Sequence, residues 1–164
     1  MSATRDSCLT PPVRARLVLY VAHPVAPTPA QVAEAALHPT PAARALERNV
    51  ARAMRWLAWL RRSFPEVTFI APWIASILSG EDDSDPRQRE AGLVDADAVV
   101  PRCDGVVLCG GRISSGMGRE RGVAARAWDL TPLGDKPPVG MTPGRPWLTW
   151  AADCEAAAGT GGGR

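Results

Sequence analysis

The stretch CDGVVLCGGRISSGMGRE, residues 103–120, is the part of the sequence that most strongly predicts the fold. Its apolar run GVVLC at 105–109 has the length and composition of a strand buried on both faces, as in a parallel sheet. The run ends in two glycines and leads through two serines to a segment with helical character from Gly118 to about Trp128. A buried strand, a glycine-rich turn and a helix in this order predict one unit of an α/β fold.

Similar units precede this stretch. The apolar run at 17–22 and the segment VTFIAPWI at 67–74 predict two further strands. Thr28-Pro29 and Thr40-Pro41 each place a capping hydroxyl before a proline, which predicts two helix starts between these strands. The second of these helices carries apolar residues three and four positions apart, a stripe typical of a core-facing helix. The stripe comprises Leu46, Val50, Ala53, Leu57, Leu60 and Phe64, and Trp56 and Trp59 widen it.

The segment between the second and third predicted strands is expected to be helical in two pieces. Asp85-Pro86 ends an acidic loop at 79–86 and predicts a helix that runs from Pro86 to about Val94. The segment DADAVVPRCD at 95–104 predicts a second, short helical piece. A last short strand is predicted around 138–141.

Alternating strands and helices predict a single α/β domain with a parallel sheet and helices on both faces. We place this domain at 15–150, between a flexible lead at 1–14 and a disordered tail at 151–164.

Composition excludes several function classes. The formal charge is +2 and the arginines are scattered among acids, which argues against a nucleic-acid polymer as partner. No stretch approaches the roughly 18 apolar residues of a membrane span, so we expect a cytoplasmic protein without membrane contact. The acidic loop lacks the remaining ligands of a calcium site. The cysteines form no CxxC pair, so no metal site is expected: Cys8, Cys103, Cys109 and Cys154. Cys103 and Cys109 are expected to be small buried residues.

Sites in parallel sheets lie where strands end and helices begin. Polar or small residues occupy three such ends here, at 20–24, 71–73 and 109–120. The last of these is neither a phosphate loop, since no lysine follows, nor a dinucleotide fingerprint. Its glycines and hydroxyls nevertheless suit an anion at a helix start: Gly110, Gly111, Ser114, Ser115, Gly116 and Gly118.

Glu120 is expected in the first turn of the following helix, where the helix dipole stabilises a carboxylate. A capping box would instead explain this glutamate structurally, but it would need Ser or Thr at 117, which is Met117. The residue pattern alone leaves both a functional and a structural role for Glu120 open.

Four segments together resemble the nucleoside 2-deoxyribosyltransferase superfamily, which includes the 2′-deoxynucleoside 5′-phosphate N-hydrolases. They are YVAHP at 20–24, the Asp95/Asp97 region, CDGVVL at 103–108 and SSGMGRE at 114–120. The resemblance covers roughly residues 16–130 and is most specific from Asp104 to Glu120. It implies a small flavodoxin-like (Rossmann-like) α/β domain, no cofactor, and a homodimer as one possible oligomeric state.

The resemblance also implies residue roles. Glu120 would be the nucleophile that attacks the anomeric carbon of a 2-deoxyribosyl group, and Tyr20 would orient that carboxylate. Asp95 or Asp97 would hold or protonate the departing base. Ser114 and the amides around Gly116 and Gly118 would bind a 5′-phosphate, with Ser115 and Gly110 beside them.

The sequence departs from the family pattern at three places. His23 stands where the family usually has glycine, which either narrows the sugar pocket, adds a proton donor, or packs at the strand end. The expected aspartate falls on Ala96, between Asp95 and Asp97. The segment 24–49 is long and rich in proline and alanine, typical of either a lid or a solvent-side helix.

The resemblance thus implies an N-glycosidic-bond enzyme acting on a nucleoside or nucleotide, with water or a second base as acceptor. A non-catalytic nucleotide-binding or sensing module on the same fold is the alternative. A phosphoribohydrolase of the lysine-decarboxylase-like type would need a PGGxGT-like stretch, which GGRISSGMG at 110–118 matches poorly.

Overall fold

The fold is a four-stranded, all-parallel sheet with helices on both faces, which confirms the predicted single α/β, flavodoxin-like architecture. A computed structural model describes residues 16–81 and 85–139. The strand order is β2-β1-β3-β4. The strands are β1 (Val18–Ala22), β2 (Thr68–Ile70), β3 (Gly105–Leu108) and β4 (Ala127–Asp129).

Five α-helices connect and cover these strands within the described residues. They are α1 (Pro29–Glu34), α2 (Pro41–Ser63), α3 (Trp73–Leu78), α4 (Pro86–Val99) and α5 (Ser115–Val123). Short 3₁₀ turns follow α4 and β4, at Val100–Arg102 and Thr131–Leu133. The lead at 1–14, the tail at 151–164 and residues 140–150 lie outside the described residues, and so do Cys8 and Cys154.

The strands bury alternate side chains on opposite faces of the sheet, as the two-residue period of a strand dictates. Leu19 and Val21 of β1 join Val107 in a cluster with α2, whose buried members include Trp56 and Leu60. The intervening strand residues lie in a second cluster on the other face, against α4 and α5: Tyr20, Ala22, Val106 and Leu108, with Ala96 and Met117.

The start of β1 is fixed to β3 by a side chain as well as by the strand ladder. The carboxylate of Asp104 accepts a hydrogen bond from the amide of Val18 at 2.7 Å. The ladder then pairs Tyr20 with Val106 and Ala22 with Leu108. This register brings the carboxyl end of β1 level with that of β3, where the loop to α5 begins.

Several sequence predictions are confirmed. The strands at 17–22 and 105–109 form, and helices begin after Thr28 and Thr40. Thr28 caps α1 in a complete capping box with Gln31. The predicted stripe faces the core, with Ala53, Leu60 and Phe64 buried alongside Trp56. Cys103 and Cys109 are free and buried.

The predicted strand at 67–74 is too long. β2 ends at Ile70, and Trp73–Leu78 form the helix α3, which the β-branched and aromatic composition of this segment concealed. Pro72 is the N-cap residue of α3. It has no amide hydrogen with which to continue a strand ladder, which accounts for the early end of β2.

The predicted break in the following helical segment is also wrong. One continuous helix, α4, runs from Pro86 to Val99, and the piece expected at 95–104 is its second half followed by a 3₁₀ turn. Pro101 falls in that 3₁₀ turn, after the helix has ended, so it does not interrupt the α-helical hydrogen bonds.

The helix predicted from Gly118 to Trp128 is displaced. α5 begins four residues after Gly111, at Ser115, and ends at Val123, so Ala127 and Trp128 belong to strand β4. Pairing of Val107 with Trp128 along β3 outweighs the helical propensity of the alanine-rich segment. No strand forms at 138–139, and residues 140 and 141 lie outside the described residues.

Candidate active site

A pocket lies at the carboxyl end of β1 and beside α5. Its volume is about 150 Å³, and it is partly open to solvent. All three strand ends singled out in the sequence contribute to it: the chain after β1, the start of α3, and the loop leading into α5. α4 supplies the remaining wall, and no residue of α1 lines it. Within the segment 24–49, Val25 and Ala26 line the pocket, whereas the later residues form α1 and the start of α2, which pack on each other through the Gln31–Asn49 hydrogen bonds.

Tyr20 and Glu120 meet at the base of this pocket. Their side chains are 2% and 8% exposed, and the phenol of Tyr20 donates a hydrogen bond of 2.9 Å to Oε1 of Glu120. The two residues are 100 positions apart in the chain. Each reaches the pocket from a rigid element, Tyr20 from β1 and Glu120 from α5, so their geometry does not depend on a loop.

Burial raises the pKa of Glu120 from 4.5 to about 7. The hydrogen bond from Tyr20 works against this rise because it stabilises the ionised carboxylate, while the nearby charge of Asp97 adds to it. Burial and the charge of Glu120 in turn raise the pKa of Tyr20, so the phenol keeps its proton. The pair is therefore a neutral donor and an acid poised to titrate near neutral pH.

The prediction that Glu120 lies in the first turn of its helix is wrong. α5 begins at Ser115, which places Glu120 in the second turn, where the helix dipole is weaker. Ser114 is the N-cap residue, and its hydroxyl accepts a hydrogen bond from the amide of Met117 at 3.3 Å. Capping of α5 therefore does not involve Glu120, and the structural explanation through a capping box fails.

The residues of the glycine loop divide between pocket and surroundings. Ser114 and Gly116 line the pocket. Ser115 is exposed, and its hydroxyl accepts a hydrogen bond from Nη2 of Arg89 at 3.3 Å. Gly118 is exposed on α5 with open space around its Cα, so it contributes nothing to the pocket.

Gly110 serves the loop in a different way. Its φ of +96° is a conformation that side chains disfavour, and a Cβ there would lie 2.5 Å from Nε2 of His23. The glycine therefore permits both the sharp turn after β3 and the close approach of His23. Gly111, with a φ of +77°, continues the same turn against Asp135.

The two candidate aspartates have different surroundings. Asp95 lines the pocket and is exposed to solvent. Asp97 does not line it, because its Oδ2 is bonded to Arg119 at 2.6 Å and 2.9 Å. Arg119 also bonds Glu90, so this network ties α5 to α4. Ala96, at the position the resemblance assigns to the aspartate, is buried against the pocket.

His23 is buried in the pocket wall at 7% exposure. Neither ring nitrogen makes a hydrogen bond to any described residue. Burial lowers the pKa of His23 to about 4, against smaller opposing effects of the Pro24 backbone and Asp135. The imidazole is therefore neutral at physiological pH, with one donor and one acceptor nitrogen.

Trp73 and Arg89 are among the pocket residues whose part in the wall the sequence reasoning missed. Trp73 lines the pocket and donates from Nε1 to the carbonyl of Val21 at 2.8 Å, but the sequence suggested a strand residue. Arg89 lines the pocket one turn into α4, and it was one of many scattered arginines. No sequence signal distinguished it from the other arginines, because α4 follows a helix and not a strand.

Comparisons with known proteins do not assign a family. The chain matches no protein-family model, no curated protein and no solved structure. In the described parts of the chain, no group of three or more potential metal ligands comes together, and none of the helices is long and apolar enough to span a membrane.

Proposed function

We propose that the protein cleaves the N-glycosidic bond of a 2′-deoxynucleotide or a related nucleoside, with Glu120 as nucleophile. The observation that carries this proposal is the buried Tyr20–Glu120 hydrogen bond in a pocket that is partly open to solvent. A buried carboxyl is costly for a fold, and here it faces a pocket rather than a cation. Water or a second base would accept the sugar, giving a hydrolase or a transferase.

The proposed reaction has two displacements. An ionised Glu120 oxygen attacks the anomeric carbon, and the bond from that carbon to the base nitrogen breaks with its electron pair going to the base. A proton from Asp95 or from solvent reaches the departing base. Water or a second base then attacks the same carbon, breaks the ester to Glu120 and releases a proton. The configuration at the sugar is retained, because it is inverted twice.

Tyr20 would act as a positioning residue in both steps. Its phenol holds one carboxylate oxygen and leaves the other for attack. A carboxylate beside the anomeric carbon also stabilises the positive charge that grows there as the base departs. Trp73, Ile77 and Leu93 line the pocket with apolar surface suited to a flat base.

The entrance near α5 supports a 5′-phosphate on the substrate. Ser114 accepts a hydrogen bond from Met117, which leaves its hydroxyl proton for an anion. Gly116 exposes backbone at the same helix start, and Arg89 brings its guanidinium to the rim, with Nη2 3.9 Å from the Cβ that Gly116 lacks. Amides at a helix start and a guanidinium both favour phosphate.

A nucleotide-binding module without turnover is the second candidate, and the pKa of Glu120 favours it. With a pKa of about 7, much of the carboxyl is protonated at neutral pH. A protonated carboxyl donates a hydrogen bond to a ligand instead of attacking it. The two candidates therefore differ in what Glu120 does, not in where the ligand lies.

The test measures free base released from deoxynucleosides, deoxynucleoside monophosphates and their ribose counterparts. Wild type is compared with Glu120→Gln, which keeps the size of the side chain, and with Glu34→Gln, an exposed control outside the pocket. We expect release by wild type and Glu34→Gln and a loss of about 10³-fold or more in Glu120→Gln. Exchange of sugar onto an added second base would identify a transferase.

Two results would contradict the proposal. Equal release by wild type and Glu120→Gln would remove Glu120 from the chemistry. Binding of a nucleotide without release by either protein would favour the binding module. The preference of wild type for monophosphates, and its reduction in Ser114→Ala, would test the phosphate position separately.

A further inference from the structure

His23 is the pocket residue whose hydrogen-bonding groups the proposed chemistry leaves unused. It lines the pocket, and only 7% of its surface is exposed. Neither of its ring nitrogens has a hydrogen-bond partner among the described residues. Leaving a buried polar group unsatisfied is unfavourable, so such a group in a pocket points to a ligand that satisfies it.

The Pro24 backbone is close enough to His23 to raise its pKa slightly, but neither ring nitrogen reaches a described residue at hydrogen-bond geometry. The Nε2–Cδ2 side of the ring packs against Gly110, whose missing Cβ would lie 2.5 Å and 2.8 Å from these atoms. The chain thus adopts a positive φ at Gly110 in the place where the ring needs room.

We infer that His23 recognises a hydroxyl group on the pentose of the substrate through one of its ring nitrogens. A hydroxyl can donate to the unprotonated nitrogen of a neutral imidazole or accept from its N–H group, so it can bond whichever nitrogen faces the pocket. This inference rests on the proposed function for the identity of the ligand as a nucleoside or nucleotide.

The positions of Tyr20 within β1 and of His23 just after it favour the sugar over the base. His23 follows Tyr20 by three residues, roughly 10 Å along an extended chain, and Tyr20 holds the carboxyl that faces the anomeric carbon. A pentose between these two side chains places a ring hydroxyl toward His23. The base then lies against the apolar wall of Trp73, Ile77 and Leu93.

The experiment measures binding by calorimetry, so that it does not depend on turnover. The ligands are one ribonucleoside monophosphate, its 2′-deoxy form and its 2′,3′-dideoxy form, all with the same base. They are titrated into three proteins that all carry Glu120→Gln to prevent reaction. One retains His23, and the other two carry His23→Leu or His23→Asn in addition. His23→Leu removes both nitrogens, whereas His23→Asn retains one donor and one acceptor.

We expect the wild-type pocket to lose affinity about tenfold or more when the recognised hydroxyl is removed. A loss between the ribo and deoxy forms identifies the 2′ position, and a loss between the deoxy and dideoxy forms identifies the 3′ position. In His23→Leu this loss should fall to about twofold or less, and His23→Asn should restore part of it. Discrimination that is the same in all three proteins would overturn the inference, as would failure of every ligand to bind.

Thermal unfolding of the ligand-free proteins separates recognition from a structural role. If His23 waits for a ligand, His23→Leu unfolds at a temperature equal to or above that of wild type, because it removes two unsatisfied nitrogens. A clearly lower unfolding temperature would mean that the ring is bonded within the protein and would overturn the inference. Hydroxyl-dependent binding in the Glu120→Gln background, together with no base release by the protein that retains Glu120, would overturn the proposed function while supporting the role of His23.

Discussion

The two faces of the sheet are built from the same strands but carry different chemistry. On the α2 face, Leu19, Val21 and Val107 meet Trp56 and Leu60 in a cluster without a buried carboxyl or imidazole. On the opposite face, Tyr20 and Ala22 meet α4 and α5, and the cluster is interrupted by the pocket. One residue of offset along β1 therefore separates a stability face from a site face.

The difference shows where this fold places its unfavourable groups. Glu120 and His23 are both buried, and both have a pKa displaced toward the neutral form. Such groups weaken a fold, and the apolar face provides the stabilising free energy that allows them. Substitutions on the α2 face should accordingly lower the free energy of unfolding and leave ligand binding unchanged. Substitutions of Glu120 or His23 should alter ligand binding without lowering the free energy of unfolding.

Leu60→Ala should have the largest effect and should act on stability alone. Leu60 is fully buried in the α2 cluster, and its truncation leaves a cavity that costs about 2–5 kcal/mol. The neighbouring exposed Arg61→Ala should change the free energy of unfolding by less than about 0.5 kcal/mol. Urea unfolding measures both. A changed nucleotide affinity in the folded fraction of Leu60→Ala would show that the two faces are not independent.

Glu120→Gln should stabilise the protein relative to wild type as the pH rises. The folded-state pKa of about 7 lies above the ordinary value of 4.5, so the native state binds the extra proton between these values. Wild type therefore loses stability from pH 4.5 to about 7, on the order of 3 kcal/mol at about 1.4 kcal/mol per pH unit. The difference between the two proteins, measured by urea unfolding at pH 4.5 and pH 8, should grow by this amount.

His23 also titrates between these pH values, and its effect on stability has the opposite sign. Its folded-state pKa of about 4 lies below 6.5, so its contribution to stability is present above pH 6.5 and is lost as the pH falls toward 4. Both proteins share this contribution, which cancels between them. A stability difference that stays constant from pH 4.5 to pH 8 would contradict the raised pKa of Glu120.

Tyr20→Phe should have a smaller effect, seen in the titration of Glu120. The Tyr20 hydroxyl lowers the pKa of this carboxyl by hydrogen bonding to its ionised form, so the variant should have a higher pKa, by about one pH unit. Carbon NMR of labelled glutamate follows the titration, and the Glu120→Gln spectrum identifies the signal. If the protein is active, the pH at which kcat/KM reaches half of its maximum should be higher in the variant than in wild type. An unchanged titration would mean that the hydrogen bond is not formed in solution.

Sequence patterns were sufficient for the elements whose local preference agrees with their packing. β1 and β3 are uninterrupted apolar runs, and α2 has both a proline-marked start and a long apolar stripe. Agreement between composition, boundary residues and burial makes these elements readable without a structure.

Prediction failed where tertiary contacts overrode local preference. The alanine-rich segment before Trp128 favours helix, yet β3 offers an unpaired edge and the chain becomes β4. The aromatic segment at 73–78 favours strand, yet Pro72 ends the ladder and α3 forms. The first outcome depends on pairing with another strand, which composition does not report. The second was marked locally by Pro72, whose effect the composition of the segment concealed.

The site was partly readable for the same reason. Tyr20 lies in β1, and Ser114 and Glu120 lie at the start and in the second turn of α5. The sequence marked both regions, and all three residues reach the pocket. The pairing of Asp97 with Arg119, and the entry of Arg89 and Trp73 into the wall, depend on how α3, α4 and α5 pack together. No spacing in the chain specifies those helix positions.

The separation of Tyr20 and Glu120 by 100 positions also has a kinetic consequence. β1 lies inside the sheet, and one of its two neighbours, β3, follows it by more than eighty residues. Contacts across so long a loop form slowly, because the chain between them must first lose its freedom. During refolding, we therefore expect α2 to gain its helical signal early and the Tyr20–Glu120 pair to assemble with the last phase. The protein should therefore regain ligand binding during refolding only when the sheet is complete.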